Sequence, residues 1–93
     1  MPDISLDNRV AIHEDAVFRE LDGEAVILQL DAGMYFGLDA TGTRLWQLIE
    51  AHGHLRPVLD AALAEFDVPP DVLQRDLLEL ASALAEKRLV VVQ

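Results

Sequence analysis

Cysteine is absent from this chain of 93 residues, and that one absence removes disulfides, thiolate zinc sites, iron–sulfur ligation and thiol catalysis together. It leaves the redox compartment open. Basic residues are few: seven Lys plus Arg stand against seventeen Asp plus Glu, for a net charge of −10. Such an imbalance works against any partner held through phosphates or anionic lipid, so neither nucleic acid nor membrane is expected as a partner. No apolar run approaches the roughly 18 residues of a membrane span. Met1-Pro2-Asp3 lacks the basic region and apolar stretch of a signal peptide. The expectation is a soluble, cytoplasmic protein. Repeats, low-complexity tracts and linkers are missing too, and 52% apolar residues supply material for one core only, a single domain over 1–93.

Residues 1–15 mix acids with Ile4, Leu6, Val10 and Ile12 in no lasting period and read as an extended lead-in. Val17 to Leu21 is a β-prone run that meets Asp22-Gly23, the dipeptide of tight hairpin turns with positive φ. Glu24 to Leu30 follows as a second strand. Asp31-Ala32-Gly33 then offers a three-residue loop into a third strand, Met34 to Leu38, which completes an antiparallel meander. With that loop, Leu30 lies opposite Met34, Leu28 opposite Phe36 and Val26 opposite Leu38, and those six side chains form the expected core face. Ile27, Gln29, Tyr35 and Gly37 fall on the other face.

After Leu38 the period becomes helical. Asp39 is a good N-cap, Leu45, Leu48 and Ile49 give an apolar side, and Gly53 supplies a stop, which sets a first helix over 40–52. Arg56-Pro57 starts a second helix over 57–66 with Val58, Leu59, Ala62, Leu63 and Phe66 as its stripe. Pro69-Pro70-Asp71 opens the longest, over 70–87, where Leu73, Leu77, Leu80 and Leu84 recur at helical spacing. Leu89 to Val92 is β-branched and short, and reads as a brief strand. The fold class is therefore α+β, a three-stranded antiparallel meander followed by three α-helices.

Little in the chain supports catalysis. His52 and His54 flank Gly53 without an organised third ligand, which marks a polar helix stop rather than a metal site. Asp71, Asp76, Glu79 and Glu86 read as the solvated side of the last helix. Gly33, Gly37 and Gly42 are not spaced as a phosphate-cradling loop. No cofactor and no metal is expected.

Two features are less ordinary. The third strand, Met34-Tyr35-Phe36-Gly37-Leu38, is last in the meander and carries neither Lys nor Pro to guard an open edge. In the last helix, Leu73, Leu77, Leu80 and Leu84 share one sector, and Leu78, Ala81 and Ala85 widen it on one side only into a shallow apolar trough. An open edge beside a trough suits an extended peptide that adds a strand and drops alternate side chains into the groove.

The stretch Tyr35-Phe36-Gly37-Leu38-Asp39-Ala40-Thr41-Gly42-Thr43-Arg44-Leu45-Trp46, after Gly23-Glu24-Ala25-Val26 and before the Leu-rich final helix, resembles the PqqD-like family. The similarity runs from about Val17 to Val92. That family comprises the recognition elements of ribosomal peptide natural-product pathways, and the free-standing length resembles the small leader-binding proteins of lasso-peptide pathways. The resemblance implies a winged helix-turn-helix-like fold and no catalysis. It implies a precursor leader peptide that adds to the third strand and packs on the third helix, with a transglutaminase-like leader peptidase and an asparagine-synthetase-like cyclase as further partners. The expected leader-binding residues are Met34, Tyr35, Phe36, Gly37, Leu38, Gln74, Leu77, Leu78, Ala81 and Ala85. The competing reading of the same fold class is a winged-helix DNA-binding regulator, against which stands a last helix with only Arg75, Lys87 and Arg88 among several acids.

Overall fold

The computed structural model describes residues 4–93, so the first three residues of the expected lead-in lie outside the described residues. The chain runs β1 (Val10–Ile12), β2 (Ala16–Leu21), β3 (Glu24–Gln29), β4 (Met34–Leu38), α1 (Ala40–His52), α2 (Leu55–Glu65), α3 (Pro70–Glu86) and β5 (Val90–Val92). Strands β2, β3 and β4 form an antiparallel sheet in that order, followed by three helices. The class is α+β and winged helix-turn-helix-like. β5, expected from its composition, finds its partner in the stretch read as a featureless lead-in: β1 pairs with it antiparallel, Val10 opposite Val92 and Ile12 opposite Val90. Three residues are too few to show a period, and the strand exists because the far end of the chain pairs with it.

The first hairpin obeys its local signal. Asp22 (φ 55°) and Gly23 (φ 83°) both take the left-handed backbone that the turn needs, and Leu21 closes on Glu24. The second hairpin departs from the expected register by one residue. Gln29, not Leu30, lies opposite Met34; Leu28 lies opposite Tyr35 and Ile27 opposite Phe36. The loop thus has four residues, Leu30 to Gly33, and the Gly33 N–H (φ 66°) donates to the Gln29 carbonyl at 2.9 Å.

The cause is the Gln29 side chain, which is 1% exposed. Its Oε1 accepts from the amides of Asp31 at 2.8 Å and Ala32 at 3.1 Å, while its Nε2 donates to the Arg88 carbonyl at 2.9 Å. A buried amide bonded through both its oxygen and its nitrogen stabilises the loop and ties it to the end of α3. Because a one-residue slip exchanges the faces, Ala25, Ile27 and Gln29 point inward, and Val26, Leu28 and Leu30 are exposed. Of the six side chains expected on the core face, Phe36 and Leu38 are the two that pack into it. The outer face instead carries an apolar set that includes Leu21 at 78% and Tyr35 at 74% exposure.

Helix α1 starts where Asp39 caps it, its Oδ1 accepting from the Gly42 N–H at 2.8 Å. Its inward side carries Leu45, Trp46, Leu48 and Ile49. Trp46 is fully buried and lies parallel to Phe18 of β2, ring centroids 6.0 Å apart, which joins the helix layer to the inner face of the sheet. Helix α2 begins two residues before the expected Pro57, which sits within the first turn where a missing N–H costs nothing. Helix α3 buries Leu73, Leu77, Ala81 and Leu84. Arg44 of α1 clamps Glu65 at the end of α2 through Nε at 2.7 Å and Nη2 at 2.8 Å. That guanidinium holds the Glu65 carboxyl below the usual glutamate range.

Candidate functional site

The two hairpins together fix which backbone groups of β4 point away from the sheet. In the first, the closing pair Leu21 and Glu24 of a two-residue turn is hydrogen-bonded, so β3 bonds to β2 through Glu24, Val26 and Leu28. The Leu30 N–H continues that series, donating to the Asp15 carbonyl at 3.0 Å. Ala25, Ile27 and Gln29 therefore bond to β4, at Leu38, Phe36 and Met34. What remains in β4 is Tyr35 and Gly37, whose N–H and C=O groups face outward. Among the described residues no strand flanks β4 on that side, because β5 pairs with β1 in a separate sheet.

The opposite edge of the sheet is treated differently. By the same parity Phe18 and Glu20 of β2 face outward, but the Arg19 Nη1 reaches back to the Phe18 carbonyl at 3.0 Å. The Glu20 carboxylate accepts from Gln47 of α1 at 3.0 Å. A charged side chain folded over an edge carbonyl is one of the ways sheets discourage further pairing. β4 has no such cover among the described residues.

Beside β4 lies a cleft of about 460 Å³ shared by β4, the start of α1 and one flank of α3. Phe36, Leu45, Leu80 and Ala83 give it apolar walls, Thr41 and Gly42 line it from α1, and Asp39, Asp76 and Glu79 supply carboxylates. Phe36 and Leu80 are half-buried against the core, so both are already held in place before anything enters. Asp39 is fixed by its capping bond to Gly42. The arrangement presents a row of backbone donors and acceptors above an apolar floor, which is what an added strand with alternating side chains requires.

The expected site residues divide. Met34, Tyr35, Phe36, Gly37 and Leu38 form β4 as expected, and Tyr35 and Gly37 hold its free backbone groups. The expected α3 set lies apart from this cleft. Leu77 and Ala81 are fully buried core residues, and Ala85 packs on the core. Gln74 and Leu78 line a neighbouring hollow along the exposed side of α3, with Asp71, Arg75, Ser82 and Glu86, and this hollow shares Glu79 and Ala83 with the cleft. None of these five lines the cleft beside β4. A helical wheel shows that the apolar sector has two flanks but not which one meets the sheet. The flank that does is Asp76, Glu79, Leu80 and Ala83, of which sequence reasoning had noted Leu80 only as part of the leucine stripe, and Asp76 and Glu79 only as solvated charge.

A small α+β scaffold with one guarded and one open sheet edge, the open one bordering a cleft against the third helix, defines the class of fold. Residues 24–90 match the family described as Coenzyme PQQ synthesis protein D (PqqD), and the chain belongs to that family. Among solved structures, the chain is similar to one described as TbiB1 in complex with the TbiA(beta) leader peptide, with 40% identity and a TM-score of 0.80 over 86% of this chain and 93% of that one. It shares its fold with a lasso peptide synthetase B1 complexed with the leader peptide, at 19% identity and a TM-score of 0.78, covering 89% of this chain and 98% of the other. A search of curated proteins finds no match.

Proposed function

We propose that this chain is a non-catalytic cytoplasmic adaptor. It binds the leader segment of a ribosomally made precursor peptide as a fourth strand on β4 and delivers it to the maturation enzymes of a lasso-peptide pathway, a transglutaminase-like leader peptidase and an asparagine-synthetase-like cyclase. The observation that carries the reading is the unguarded β4 edge, with Tyr35 and Gly37 free, facing α3 across the cleft. The relative of 40% identity, whose structure holds a leader peptide, supports it. An adaptor of this kind works by effective concentration, since a tethered leader meets its enzyme in a nearly intramolecular encounter. The DNA-binding alternative gains no support from α3, whose exposed side carries Asp71, Asp76, Glu79 and Glu86 toward any approaching phosphate.

The test is a fluorescence-polarisation titration with labelled TbiA(beta) leader peptide, beside a duplex-DNA control, followed by amide exchange with the peptide present. The expected result is saturable peptide binding that protects the Tyr35 and Gly37 amides. Saturable peptide binding that leaves those two amides exchanging as before overturns strand addition; binding of DNA but not peptide overturns the adaptor reading.

A further inference from the structure

Resting on that reading, the lining of the cleft names the chemistry of one peptide position. Phe36 stands between the two outward-bonding residues, so a peptide residue directly across from it occupies a non-hydrogen-bonded pair, where side chains approach closely and share a face. That face is the one Phe36 shares with the cleft. The cleft there is lined by Phe36, Leu80 and Ala83 together with three exposed carboxylates, Asp39, Asp76 and Glu79, and by no Lys, Arg or His. Asp39 has one oxygen engaged by the α1 cap. Glu79 makes no ion pair among the described residues, and the cation nearest Asp76, Arg75, stands 3.8 Å away with both groups half-exposed.

We propose that the peptide residue paired with Phe36 is lysine or arginine. Its methylene stem lies along Phe36, Leu80 and Ala83, and its cationic head sits among the carboxylates. An acidic residue there is repelled, and a short polar one leaves the apolar wall wet. A second copy of the chain offers no such group, because its own β4 carries no cation, and two chains of net charge −10 repel one another.

Random short peptides displayed on phage are selected at about 50 mM salt, where charge effects are least screened, against the wild-type chain and the double variant Asp76→Lys/Glu79→Lys. Both positions are exposed, so the swap leaves the core intact. Selected peptides are kept when their binding is lost on Tyr35→Pro, or, should that variant not fold, when they protect the Tyr35 amide. The expected result is Lys or Arg enriched at one position with wild type, turning to Asp or Glu with the double variant. A selected cationic peptide should bind the double variant about tenfold more weakly. An apolar or unspecified residue at that position, or a preference that the swap leaves unchanged, overturns the proposal while the adaptor reading stands. If the wild type retains no edge-dependent peptide, both fall. A dimer in sedimentation equilibrium that Tyr35→Pro abolishes makes the occupant a second copy, and overturns it too.

Discussion

Proline at adjacent positions of β4 separates the ladder side of the strand from its open side. At Phe36 the N–H faces β3, where Ile27 is fully buried. Phe36→Pro removes that ladder bond and leaves a buried carbonyl without a partner, a cost of about 1 to 3 kcal/mol before the clash of the ring with the sheet. The loss of the phenylalanine side chain is measured separately by Phe36→Ala. At Tyr35 the N–H faces outward and the side chain is 74% exposed, so Tyr35→Pro loses no internal bond and costs about 1 kcal/mol. For a domain of this size 1 kcal/mol moves the melting temperature by roughly 4 to 8 °C. Phe36→Pro should therefore melt more than about 10 °C below Phe36→Ala, if it folds at all. Tyr35→Pro should keep a cooperative transition yet bind leader peptide at least about tenfold more weakly, since the peptide's carbonyl loses its donor. Thermal melts by circular dichroism and the polarisation titration give both readings. Equal melting temperatures for the two proline variants, or intact binding by Tyr35→Pro, would refute the parity assigned to β4.

Leu77→Ala, a truncation at a fully buried position, should cost about 2 to 5 kcal/mol in urea unfolding, and Leu78→Ala, half-buried on the far flank, clearly less. Leu80→Glu should weaken leader binding in the polarisation titration by at least about tenfold, from a charge placed on the cleft wall, whereas Leu78→Glu should leave it unchanged. Gln29→Leu abandons the Asp31 and Ala32 amides and the Arg88 carbonyl, and should lower unfolding free energy by about 2 to 3 kcal/mol with the loop's amides exchanging faster. The Arg44 guanidinium lowers the Glu65 pKa in the folded protein. The stabilisation from that pair is present above the ordinary glutamate pKa and lost as pH falls through the lowered value, so carbon NMR should place the Glu65 midpoint below the usual range and Arg44→Gln should return it.

Local chemistry that needs no partner was legible in the residues: the Asp22-Gly23 turn, the Asp39 cap and the leucine stripe of α3 each carry their signal within a few positions. What stayed hidden depended on a distant contact. The meander's register turns on Gln29, whose amide reaches the backbone of Arg88, 59 residues along the chain. Ranking faces by apolar content picks Val26, Leu28 and Leu30 over Ala25, Ile27 and Gln29, and so picks the outer face. The same limit applies to α3. Its leucines locate the core side, but which flank borders β4 follows from how α3 packs on the rest of the fold, and the expected trough lies on the flank that does not line the cleft. The edge position of β4 does not depend on either point, because it follows from strand order alone and its residues are the same whichever face is inward.

The open edge and the acidic composition bear on one another. β4 lacks the Lys, Pro or folded-back arginine that guards an edge, and the outer face beside it exposes Leu28 and Tyr35, a combination that favours edge-to-edge pairing between copies. Repulsion between two chains of net charge −10 opposes that pairing without occupying the edge. A guard placed on β4 itself, as Arg19 is placed on β2, would block every strand alike. Net charge instead discriminates by partner: it disfavours a second copy of this chain, is indifferent to a neutral peptide, and favours one that brings a cation to Asp76 and Glu79. On this account the acids that disfavour a phosphate-bearing partner also keep the β4 edge available.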